Sequence, residues 1–242
     1  MNEEEENTFG VDNKVELLGH YGSDITHAQS AWTSTTRDLD VPDKKGVTKR
    51  ERVPGLLTML ASEGHHTPFE KSSLHFLVTS DIASHIHIIK HRIGVSVNGE
   101  SARYKELKTD KLYLPSEWPE KEKEAYIKHM EQTYENYHRA LKELIPHYME
   151  VEGLSKRDAR KRAKESARFY LPYGNQLTCD VMFNFRSFFH FLKLWYSTHA
   201  QREICDLARK MLEQVQATGD FDVTLKAFGL VDDAGGLVKP FD

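Results

Sequence analysis

Lys90-His91-Arg92-Ile93-Gly94-Val95-Ser96-Val97-Asn98-Gly99-Glu100-Ser101-Ala102-Arg103-Tyr104 packs two arginines, a lysine, two serines, an amide and two glycines into one short stretch. The apolar run 82–89 leads straight into it, so a structured element delivers the chain into a donor-rich loop. Gly94 and Gly99 let such a loop bend and bring backbone N–H groups close to a ligand. Arg92 and Arg103 carry planar forks suited to phosphate or carboxylate, while Lys90 is a point charge. The chemistry points to an anionic ligand, above all a phosphate ester. A solvated basic surface loop is the plainer alternative, and these residues alone leave it open.

The surrounding chain is that of a globular protein. Its 242 residues are 39% hydrophobic and 29% charged, enough for one large domain with a core. The net charge of −4 argues against a general nucleic-acid or membrane binder, so any cationic focus is local. Two cysteines, Cys179 and Cys205, imply no disulfide framework and fit a reducing compartment, the cytoplasm. Residues 1–12 read as a disordered acidic lead without an apolar secretory segment. Residues 13–230 read as the folded domain, and residues 231–242, with Gly235-Gly236 and Pro240, as a loose tail.

Upstream of the opening stretch, 15–18 is a short apolar patch suited to an edge strand. A helix is expected near Asp24, and another over 54–63 with Pro54 in its first turn and Gly64 at its end. Then come His65-His66-Thr67-Pro68-Phe69-Glu70 and a strand over 73–79. Ile82, Ile86 and Ile89 are spaced as on a helix, although alternation with His85 and His87 also fits a strand. Downstream, Tyr126, Met130, Tyr134, Tyr137, Leu141, Leu144 and Tyr148 form one stripe of a long helix over 119–148, which Pro146 should end or kink. Ser155 and Asp158 resemble a capping box that opens a second helix. Ala159, Ala163 and Ala167 give that helix a slim packing face, and six cations cover its remainder. Residues 180–199 read as a largely buried aromatic helix in which Asn184 and Arg186 need partners. An amphipathic helix follows with Ile204, Leu207, Met211 and Val215.

Four of these blocks together resemble the flavin-dependent thymidylate synthase family. Its Arg-His-Arg signature with a downstream Ser-x-Arg-Tyr matches Lys90-His91-Arg92 and Ser101-Ala102-Arg103-Tyr104 at the longer of the family's two spacings. His65-His66-Thr67-Pro68-Phe69-Glu70, Asn184-Phe185-Arg186-Ser187 and His199-Ala200-Gln201 match further blocks in the family's order. The resemblance implies an α+β fold, with a mixed or antiparallel sheet flanked by long helices in a single domain, assembled as a homotetramer. It implies methylation of dUMP to dTMP, with methylenetetrahydrofolate as carbon donor and NADPH reducing FAD. By the same resemblance His87, Lys90, Glu100, Ser101, Arg103 and Arg168 would contact dUMP. His65, Thr67, Glu70, Lys90, His91, Arg92, Asn98, Asn184, Arg186 and His190 would contact FAD.

The chain departs from the family pattern at Lys90, at Gln29 and Trp195, where the family has arginines, and at His190, where it has an asparagine. A Trp cannot make a bidentate charge-assisted pair, and losing one such contact costs roughly 1.5–3 kcal/mol. Two other functions are compatible with isolated features. A metal-dependent hydrolase could use His85, His87 and His91, or His65 and His66 with Glu70. An RNA-binding module could use the basic helix around 156–164.

Overall fold

The computed structural model describes residues 12–33, 38–101, 106 and 111–242. The fold is α+β: a four-stranded sheet in the order β1-β2-β4-β3 with eight α-helices among the described residues. The strands are β1 (Lys14–Tyr21), β2 (Ser73–Asp81), β3 (Val95–Gly99) and β4 (Gln176–Phe183). The sheet is antiparallel by its pairings. Asn13 meets Asp81 where Gly22 approaches Ser72; Thr79 meets Thr178 where His75 meets Asp180; Glu100 meets Thr178 where Gly94 meets Asn184.

The chain forms two compact units: 1–14, 79–88 and 99–179, then 15–78, 89–98 and 180–242. The first unit is dominated by α4 (Glu120–Val151) and α5 (Lys156–Ala167). The tyrosine stripe is core as expected: Met130, Tyr134, Tyr137, Leu141 and Tyr148 are buried. Ala159, Ala163 and Ala167 are buried against Tyr137, Leu141 and Tyr148. The small side chains let the two helices approach closely, and Tyr148 reaches the Ser166 hydroxyl at 2.8 Å. Ser155 caps α5 by accepting from Asp158 N–H.

The second unit packs α6 (Phe185–Trp195), α7 (Arg202–Ala217), α8 (Asp222–Ala227), α1 (Asp24–Ala31) and α2 (Lys49–Ser62) with its own strand segments. Its core is rich in phenylalanine: Phe69, Phe76, Phe183, Phe185, Phe188, Phe191 and Phe221 are buried. At the same time His27 is fully buried among Phe69, Phe185 and Phe221. Its Nδ1 lies 3.0 Å from Thr224 Oγ1 and its Nε2 2.9 Å from Ser72 Oγ. Burial lowers the His27 pKa to about 4. Asp24 accepts from the backbone N–H of Val223 and Thr224 at the start of α8, and burial raises its carboxyl.

Several expectations are corrected. Residues 180–199 are not one helix: β4 runs to Phe183 and α6 begins at Phe185. Cys179, Val181 and Phe183 are buried while Asp180 and Met182 are not, the period of a strand, and Asn184 then caps the helix. The opening stretch is less of a loop than expected, since 95–99 is strand β3. Helix α2 starts at Lys49 because Thr48 and Glu51 form a capping box, so Pro54 lies inside it. α4 runs through Pro146 to Val151. The helix reading of the run before Lys90 holds, as α3 (Ile82–Ile89). The tail is pinned: Val231 bridges Leu237, and Ser197 bridges Phe241. The first eleven residues of the expected lead lie outside the described residues.

Candidate functional site

In the second unit three distant sequence blocks meet at one cavity of about 570 Å³. The first is the 3-10 turn Thr67–Glu70 with His66 before it. The second is the turn Ile93-Gly94, and the third is the N-terminus of α6. Asn184 Oδ1 accepts from Ser187 N–H at 2.8 Å, which starts the helix. Asn184 N–H donates to Gly94 O at 3.1 Å, and Ser187 Oγ–H donates to Ile93 O at 2.6 Å. The helix start therefore clamps the turn that follows Lys90-His91-Arg92. Only glycine suits position 94. Its φ is +66°, and a Cβ there would lie 2.3 Å from both Asn184 Nδ2 and Ser187 Oγ.

Arg186 forms an ion pair with Glu70 and ties the first block to the third. Arg186 and Glu70 both line the cavity, together with His66, His190 and Lys193. Arg186 stands in the first turn of α6, at a helix N-terminus whose orphan N–H groups and dipole favour a phosphate, while Lys193 lies in the last turn of the same helix. Ile93, 90% exposed, and Phe189 add apolar surface on the same wall. A second cavity of about 630 Å³ also includes Glu70 and is lined by Gln29, Thr26, Ser30, Ser72 and Ser73. The donor set and the glycine-built turn fit a phosphate-bearing ligand.

Behind this wall His91 sits among α6 side chains. Trp195 Nε1–H donates to His91 Nε2 at 2.8 Å. The His91 ring packs edge-on to Phe191 and His190, with centroids 5.2 and 5.8 Å away. Burial lowers the His91 pKa, and His190 lowers it further.

Of the residues expected to contact FAD, Glu70, Asn184, Arg186 and His190 line the first cavity. His91 lies behind it, against His190. His65 and Thr67 are exposed and absent from its lining, and the neighbouring His66 is there instead. Lys90, Arg92 and Asn98 are exposed in the same unit and do not line the cavity. Gly94, read from sequence as a turn that brings backbone close to a ligand, does line the cavity, whereas Ser187 and Lys193 were missed as wall residues. For Ser187 the Asn-x-x-Ser spacing of a helix cap was an available signal.

The expected dUMP residues divide differently. His87, Glu100, Ser101 and Arg168 belong to the first unit, while Lys90 belongs to the second; Arg103 lies outside the described residues. Glu100 is engaged by its own unit: Oε2 accepts from Thr178 N–H at 3.2 Å and lies 3.8 Å from Lys111 Nζ. Arg168 is exposed at the C-cap of α5. Among the described residues no group of three or more His, Cys, Asp or Glu side chains gathers as a metal site. The histidine-cluster hydrolase therefore finds no ligand set there. Nor is any described helix long and apolar enough to cross a membrane.

A sequence profile described as "Thymidylate synthase complementing protein" matches residues 16–218. The chain belongs to the flavin-dependent thymidylate synthase family. It is similar to the flavin-dependent thymidylate synthase of Clostridium tetani, with 30% identity over 86% of this chain and 84% of that protein. It resembles the Tropheryma whipplei enzyme of the same name at 33% identity, over 83% of this chain and 86% of that one. Among solved structures it resembles PolB, a UMP/dUMP methylase from Streptomyces cacaoi bound with 5-Br dUMP. The TM-score is 0.68 at 25% identity, over 91% of this chain and 96% of that one.

Proposed function

We propose that this chain methylates dUMP to dTMP, taking the carbon from methylenetetrahydrofolate and the hydride from FAD that NADPH has reduced. One observation carries the reading: Asn184, Ser187 and Arg186 of one block grip Ile93 and Gly94 of a second and Glu70 of a third around a single cavity. Such a wall has the donors for the flavin's phosphates in Arg186, Lys193 and the α6 N-terminus. Bound flavin supplies the hydride chemistry. The chain's own residues bind and orient: Arg186 and Asn184 hold the cofactor, and Glu70 fixes the Arg186 guanidinium.

His87, Lys90, Ser101, Arg103 and Arg168 hold dUMP in this reading, with the cations on its phosphate. Glu100 orients the end of β3 through Thr178 as well as lying beside Ser101. His65, Thr67, His91, Arg92, Asn98 and His190 complete the flavin contacts. Assembly as a homotetramer and a cytoplasmic location belong to the same reading. The exposed Phe169 and Tyr173, 85% and 68% accessible, are surfaces that a second copy would cover.

The test is a turnover assay with dUMP, methylenetetrahydrofolate, NADPH and FAD, read as dTMP by chromatography. The expected result is dTMP formation that stops when any one component is left out. A UMP arm probes the ribonucleotide as well, since PolB is a UMP/dUMP methylase. Flavin-loaded protein that forms no methylated product from either nucleotide would overturn the proposal.

A further inference from the structure

The residue at 195 has a task of its own. The His91 imidazole faces α6, where Phe191, His190 and Trp195 surround it, and its chain neighbours Lys90 and Arg92 are exposed to solvent. His190 is the titratable group that faces it from that helix. The indole can only donate, so the nitrogen it meets, Nε2, must keep its lone pair. A neutral His91 then carries its proton on Nδ1.

We propose that Trp195 is a positioning residue that locks His91 as the neutral Nδ1–H tautomer, so that an uncharged ring backs His190 in the wall of the proposed flavin cavity. The geometry supports this directly: a 2.8 Å bond from a half-buried indole, and a ring held edge-on between two aromatic neighbours. Burial works in the same direction, since it disfavours the charged ring. An arginine at 195 would instead set a permanent charge beside the imidazole. This role rests on the flavin reading above, but the tautomer itself does not depend on it.

The experiment is ¹⁵N NMR of the histidine rings in the full chain, with His91 assigned through His91→Gln. The wild-type protein should show a neutral His91 protonated on Nδ1 at neutral pH. Trp195→Phe keeps a ring but removes the N–H. In that variant the Nε2–H tautomer should appear, and His91 should titrate at higher pH. FAD affinity should fall about fivefold, and the loss should deepen as pH falls towards 6. Trp195→Gln, which restores an N–H donor, should recover part of the wild-type pH profile. A wild-type His91 that is charged or protonated on Nε2 overturns the proposal. So does a Trp195→Phe spectrum with the tautomer unchanged. Should the wild-type chain fail to bind FAD, the flavin reading falls, while the ring spectra still decide the lock.

Discussion

In the first unit, α4 and α5 meet along a regular seam of Tyr137, Leu141 and Tyr148 against Ala159, Ala163 and Ala167. In the second, the cavity wall is irregular: a 3-10 turn, a glycine turn and a helix cap, joined by Glu70–Arg186 and by the bonds of Asn184 and Ser187 to 93–94. The seam is generic apolar packing, tolerant in chemistry and sensitive to volume. The wall is specific hydrogen bonding, tolerant in volume at its open side and sensitive to each donor. Changes at the seam should therefore affect folding and leave ligand binding alone, whereas changes at the wall should do more to binding than to folding.

The strongest way to break this contrast is Gly94→Ala. The left-handed backbone and the close approach to Asn184 and Ser187 should cost about 3 kcal/mol. Flavin binding should also be lost, because the turn must leave its clamp. Urea unfolding and FAD titration read the two effects. A variant with full stability and full affinity would mean that the clamp does not shape the wall.

A comparable effect comes from pH. The buried His27 binds a proton far less readily than in the unfolded chain, with a folded pKa of about 4. Its contribution is fully present above pH 6.5. It is lost as pH falls towards 4, by up to about 3 kcal/mol. Asp24, raised by burial, works the other way, since its protonation favours the folded state as pH falls. Unfolding free energies at pH 6.5 and 4.5 should therefore be compared between wild type and His27→Gln. The variant should show the shallower decline, and an equal decline would remove His27 from the account.

Ala163→Leu sharpens the contrast from the other side. Ala163 is fully buried in the seam, and overpacking there should cost about 2 kcal/mol while FAD affinity stays as in wild type. The smallest effect on folding belongs to Arg186→Ala. Its partly exposed ion pair should contribute under about 1 kcal/mol to stability. FAD affinity should nonetheless fall about tenfold, because a charge-assisted contact to the cofactor goes with it. A variant whose loss is all in stability would make Arg186 structural.

The seam was readable from sequence because a 3.6-residue period survives in any alphabet of apolar side chains, and the tyrosine stripe and alanine face obey it. The capping residue Ser155 also announced its helix. The boundary at Phe183 was not readable. An aromatic-rich run looks apolar at either period, and after Asp180 only burial separates Met182 from Val181 and Phe183. The wall was half legible: Glu70, Asn184, Arg186 and His190 were named, but His65 was chosen over His66. Adjacent residues in a 3-10 entry differ in direction, not in type. The Trp195–His91 bond had no sequence signal, since the residues are far apart and neither belongs to a pattern that demands the other.

A fluorescence titration of the purified chain with FAD, with and without dUMP, decides whether this protein holds flavin and nucleotide together. Saturation is expected at one FAD per chain, with affinity or quenching altered by dUMP. A wild-type chain that binds no FAD in either condition would contradict it.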